Sequence, residues 1–133
     1  MSDVNTALSP AEIAFFAGHM EALPLYEALR ARLVALLPDT RLEVRRTQIS
    51  CKNRHLFAAV SFAPVRRAAL RPPVWLTLTL GLPYRLDSPR VDAAVEAYPG
   101  RWTLHCLLGD VAEIDAELLG WLQEAAAFAA AKR

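Results

Sequence analysis

The chain has 133 residues, 54% of them hydrophobic and 22% charged, with a formal net charge of +1 at pH 7 and only 5 glycines. That is enough apolar material for one core and too ordered a composition for a disordered chain. No apolar run approaches the roughly 20 residues of a membrane span, residues 1–7 lack the basic-then-apolar pattern of a secretory signal, and Cys51 and Cys106 alone make no disulfide framework, so a cytoplasmic protein with reduced thiols is expected.

Residues 1–8 read as a flexible N-terminal segment of a single domain spanning 1–133. Ser9, Pro10 and Glu12 then form a helix start: a capping serine, a proline suited to the first helical position and a glutamate three residues after the cap. Leu23-Pro24 restarts the chain, and Leu25, Leu29, Leu33 and Leu36 share one face of a longer helix that Pro38 and Asp39 end. In RLEVRRTQISCK the apolar parity switches between Val44 and Ile49, which predicts a bulge near 45–48 or a strand that starts late. Lys52-Asn53-Arg54 reads as a tight turn, with Asn53 suited to left-handed backbone angles, leading into the alternating strand 56–62. VWLTLTLGL alternates cleanly, with Val74, Leu76, Leu78 and Leu80 on one side and Trp75, Thr77 and Thr79 on the other. The stretch 83–100 is ambiguous, with Ser88-Pro89 able to open a short helix through Glu96. RWTLHCLL is a fourth strand. Asp110 and Glu113 form a second capping box, and Ile114, Leu118, Trp121, Leu122, Ala125 and Phe128 line a long terminal helix. The expected fold is α+β: a four-stranded antiparallel sheet with the N-terminal helices and the long C-terminal helix packed on one face.

Charge is unevenly spread. Residues 1–40 carry −3, residues 41–90 carry +8 (ten Arg or Lys against Glu43 and Asp87), and residues 91–133 carry −4. The middle of the chain is therefore basic between two acidic ends.

The segments FFAGHMEALPLYEALR, RTQISCKNRHLFAAVSF, YPGRWTLHCLL and DAELLGWLQEA resemble the bacterial family called domain of unknown function 5655, over residues 13 to 126. The resemblance implies a small α+β domain, found alone or appended to others, and supplies no catalytic residue. It also implies a second histidine or basic residue where Cys106 stands here.

His105-Cys106 is the first chemical temptation. Neighbouring strand side chains point to opposite faces, so a regular strand puts Cys106 in the core beside Leu104 and Leu108 and His105 on the more polar side, which denies them a nucleophile–base contact. The same divergence spoils a zinc site of Cys51, His55, His105 and Cys106, though a partial site at Cys51 and His55 stays open on spacing alone. Hydrolase elbows, zincin helices and glycine-rich phosphate loops are absent. No catalytic residue, metal or cofactor is expected.

The working reading is a non-catalytic binding or interaction module that uses a basic hairpin and a sheet face, with Lys52, Arg54, Trp75, Arg101 and His105 as the candidate ligand-binding residues. A sheet with aromatics and a basic rim suits an anionic ligand. Arginines at edges and turns also serve only to keep a sheet soluble. A protein partner, a homodimer and an anionic ligand all remain open; nucleic acid is possible but has no motif in its favour, and no membrane contact is expected. The alternative is a small enzyme with a pocket between the sheet face and residues 82–100, lined by Tyr84, Tyr98, Arg101 and His105.

Overall fold

A computed structural model describes residues 7–132. Its elements in chain order are α1 (Pro10–Phe15), α2 (Leu23–Leu36), β1 (Arg41–Val44), β2 (Gln48–Lys52), β3 (Leu56–Ser61), β4 (Leu76–Leu82), β5 (Ala93–Tyr98), β6 (Arg101–Leu108) and α3 (Ala116–Ala130). Short 3-10 turns sit before α2, between β3 and β4, and before α3. The expected flexible stretch 1–8 falls, in its first six residues, outside the described ones.

The class is α+β with an antiparallel sheet, but the sheet has six strands rather than four, in the order β1-β2-β3-β4-β6-β5. Both extra strands have a physical origin. The parity switch in RLEVRRTQIS marks a turn at 45–47 that separates two strands: Arg45 N–H bonds to Gln48 O, and Val44 pairs with Ile49. The ambiguous stretch forms strand β5, because Pro99 and Gly100, the latter with φ +73°, make a tight turn that folds Ala93–Tyr98 back along β6.

Two apolar files cross the sheet. One is Val44, Ile49, Val60, Leu78 and Cys106; the other is Leu42, Cys51, Ala58, Leu80, Leu104 and Ala94. Both belong to the core that also takes Leu118, Trp121, Leu122 and Ala125 from α3 and Leu25, Tyr26, Leu29 and Leu33 from α2. Within this core, α3 touches β3 and β4.

Both capping boxes form. Ser9 and Glu12 start α1, whereas Asp110 and Glu113 cap the 3-10 turn, and Asp115 is the cap of α3 itself. Glu12 does more than cap. Its carboxylate is buried at 3% exposure and accepts from Ser9 N at 2.9 Å, from Arg30 Nε at 2.7 Å and from the Tyr26 hydroxyl. This cluster joins the six-residue α1 to α2, and it explains why an arginine lies buried among the leucines of α2. Burial works against the Glu12 charge, but the bonds from Arg30, Tyr26 and Ser9 outweigh it and hold the carboxyl below its ordinary range.

Candidate functional site

Between the two apolar files runs a third with a different chemistry. Glu43, Ser50, Ala59, Thr79, His105 and Ala93 lie side by side across all six strands and project to the opposite side of the sheet. A second file on this side is Gln48, Ser61, Thr77 and Leu107. An exposed sheet face ordinarily carries long charged side chains. Here the middle strands carry Ser, Ala and Thr, and these are recessed: Ser50 and Ala59 are 5% and 4% exposed. The result is a concave floor rather than a convex polar surface.

The segment between β3 and β4 closes one end of this face. Thr77 Oγ1 donates to Ala63 O at 2.7 Å, and Arg66 reaches Asp92 through Nε at 2.8 Å and Nη2 at 3.1 Å. Asp92 also accepts from Leu107 N at 2.7 Å, so one carboxylate ties the crossing segment to β6. The Asp92 hydrogen bonds raise the Arg66 pKa above its ordinary value.

The rest of the face opens as a groove of about 1010 Å³. Gln48, Ser61, Thr79, Thr103 and His105 give it hydrogen-bonding groups; Arg45, Arg46 and Thr47 of the β1–β2 turn form one wall; Phe15, Val44 and Phe62 give it apolar surface. It continues past Phe57, Gly81 and Lys132, sharing Gln48, Thr79 and Thr103 with that end. His105 Nδ1 lies 2.9 Å from Thr79 Oγ1, which fixes the ring. Nε2 has no hydrogen-bond partner among the described residues. Burial lowers the His105 pKa, so the ring is neutral near pH 7.

The structure separates the five residues expected to form a site. His105 alone lines the groove. Lys52 ends β2 with Nζ 3.5 Å from Glu43 Oε1, and Arg54 is exposed in the β2–β3 turn. Asn53 builds that turn without left-handed angles, accepting from His55 N through Oδ1 and donating to Ala126 O. Trp75 does not line the groove with His105. It precedes β4 and packs edge-on to Phe62 at 5.6 Å, with Arg71 over its ring and Phe15, Phe16 and His19 around Phe62. Arg101 starts β6, exposed. Nor does the groove draw on residues 82–100: Tyr84 donates to Glu124 on α3 at 2.6 Å, and Tyr98 is 67% exposed.

Sequence reasoning missed Arg45, Arg46, Gln48, Ser61, Thr79 and Thr103 as a group. The alternation T-L-T in β4 and T-L-H in β6 was a usable signal, but only the β4–β6 pairing makes Thr79 and His105 neighbours.

Cys106 lies in the core, on the side away from His105. Burial pushes its thiol up to about 11 and that of Cys51 up to about 12. Neither thiol is a nucleophile at neutral pH. In the native protein at pH 8 a thiol-reactive dye is expected to modify neither, and after denaturation both; fast labelling of the folded protein would contradict the burial. Among the described residues no three His, Cys, Asp or Glu side chains cluster to hold a metal ion, and no helix is long and apolar enough to cross a membrane.

The family model described as Domain of unknown function (DUF5655) matches residues 13–129. The chain belongs to this family. Neither the curated proteins nor the solved structures contain a match to this DUF5655 chain. Membership therefore assigns no activity, and the groove must be read from its own chemistry.

Proposed function

We propose that this DUF5655 domain is a non-catalytic binding module whose sheet groove takes a small organic anion with an apolar body. The reading takes α2 and α3 to lie on the Leu78 side, with α1 at the sheet edge where Phe15 reaches the groove, and the protein to work in the cytoplasm, as two unpaired buried thiols suit. The observation that carries it is the recessed floor of Ser, Ala, Thr and His, bounded by the arginines of the β1–β2 turn. A groove of this size falls at the upper end of small-molecule sites, about 300–1,000 Å³. Along β4 the floor from Thr77 to Gly81 extends about 13 Å at the usual strand rise. Phe15, Val44 and Phe62 suit an apolar or aromatic body, and Arg45 and Arg46 suit its charge. Arg45 also contacts Glu43, whereas Arg46 has no ion pair among the described residues.

The sign of the pH dependence follows from His105. Its free-state pKa lies below the usual 6.5, and a bound anion raises it. Binding then takes up a proton, so affinity increases as the pH falls through the region below 6.5. Calorimetry with an aromatic carboxylate, a nucleoside monophosphate and inorganic phosphate tests this. Saturable binding of at least one organic anion is expected. Arg45→Ala with Arg46→Ala should weaken it about tenfold or more, an effect near 1.4 kcal/mol, and His105→Gln should flatten the pH dependence. Equal binding by the double variant and the wild type would sink the reading.

A further inference from the structure

The two edges of the sheet are built differently. At one edge, β1 has four residues, carries Arg41 and Glu43, and is followed by Arg45 and Arg46, the charged short edge that discourages strand addition. At the other edge, β5 reads AAVEAY: six residues with no proline, lysine or arginine, regular from Ala93 to Glu96 and shifted in register only between Glu96 and Tyr98. Val95 and Tyr98 are 55% and 67% exposed.

The free backbone groups of β5 can be identified. His105 O accepts from Asp92 N at 2.8 Å, so the odd-numbered residues of β6 direct their backbone groups toward β5. Ala93 and Val95, opposite His105 and Thr103, therefore bond inward. Ala94 and Glu96 direct their N–H and C=O groups to the free edge.

We infer that β5 is a self-association edge, pairing antiparallel with β5 of a second copy, with Val95 facing Val95 across the dyad. With a second copy as the partner, charge selects the register. Three two-fold alignments bring the outward groups together. Placing Ala94 on Ala94 sets Glu96 against Asp92, and placing Glu96 on Glu96 opposes two carboxylates. Placing Ala94 on Glu96 opposes no like charges and puts Val95 on the axis. Glu96 is already turned along its own hairpin, accepting from Gly100 N at 3.1 Å. The dyad stands perpendicular to the sheet, so both grooves open on the same side of one continuous sheet. Their His105 residues then lie about 20 Å apart at ordinary strand spacing and rise. This inference rests on the edge alone and stands whether or not the groove binds an anion.

Sedimentation equilibrium of the whole protein at micromolar concentrations, with Val95 variants, is the test. The wild type should approach twice its 14.7 kDa monomer mass. Val95→Lys and Val95→Glu should each weaken the dimer about tenfold, since each faces itself on the axis, and an equimolar mixture of the two should restore it. Ala94→Pro removes an outward N–H without touching the β5–β6 ladder, so it should give a monomer with an unchanged circular dichroism spectrum. A wild type that stays monomeric, a Val95→Lys protein that stays dimeric, or a mixture that fails to re-associate would each overturn the inference.

Discussion

Arg30→Met is expected to destabilise the fold by about 3–5 kcal/mol, the range seen when one partner of a buried ion pair is removed. Arg30 and Glu12 have side-chain exposures of only 5% and 4%, so solvent cannot replace the lost cation. Glu12 would keep its bonds from Tyr26 and Ser9 but lose the Arg30 contact that most strongly offsets its burial. The damage should concentrate at α1, which this cluster joins to α2. The acid limb of stability should change as well. In the wild type the Glu12 carboxyl titrates below its ordinary 4.5, so its contribution is complete above that value and is lost as the pH falls through the lowered one. In the variant, burial opposed by fewer bonds raises the carboxyl and the sign reverses: the group then favours folding at low pH and loses that contribution as the pH rises through the raised value, so the acid limb flattens. Urea unfolding of the two proteins between pH 3 and 7 measures both effects, with a loss under about 1 kcal/mol at pH 7 as the contradicting result.

Asp92→Ala is expected to cost about 2–4 kcal/mol, because a carboxylate only 13% exposed serves two Arg66 nitrogens and the Leu107 amide at once. Its local consequence is more specific than its size. The segment 63–75 would keep its Thr77–Ala63 contact but lose its hold on β6. That segment contains Arg66 and Arg67, so limited trypsin digestion should cut there early in the variant and late in the wild type. Cleavage elsewhere first, or an unchanged urea midpoint, would contradict the role given to Asp92. Loss of this tie would also loosen the closed end of the open face, which links the prediction to the groove.

Much of the fold was legible because local physics set it. The Ser9–Glu12 box, the Leu25–Leu29–Leu33 face and the opposed directions of His105 and Cys106 all follow from helix and strand periods. Two strands were not legible, for different reasons. In RLEVRRTQIS a turn without glycine or proline left only a parity switch, which a bulge produces equally well. In the β5 segment Ser88-Pro89 imitates a helix start, and only pairing with β6 decides the outcome. The site was harder still. Lys52, Arg54, Trp75 and Arg101 were selected for charge or aromaticity, yet strand order disperses them. Thr79 and His105, 26 residues apart, meet because β6 inserts between β4 and β5 and pairs with both. Non-local pairing of this kind leaves no periodic trace in the chain.

The most direct test of the groove is proton NMR of the three histidine rings during titration with an aromatic carboxylate and with a nucleoside monophosphate. His55 sits in the β2–β3 turn, away from the floor, and serves as the internal control, whereas His19 stacks at 4.0 Å on the groove-lining Phe62. The expected result is a saturable shift of the His105 ring with one of these anions, accompanied by a rise in its pKa, while the His55 ring stays still. A His105 resonance unmoved by every anion, or shifts confined to His55 beside Lys52 and Arg54, would contradict the groove as the binding site.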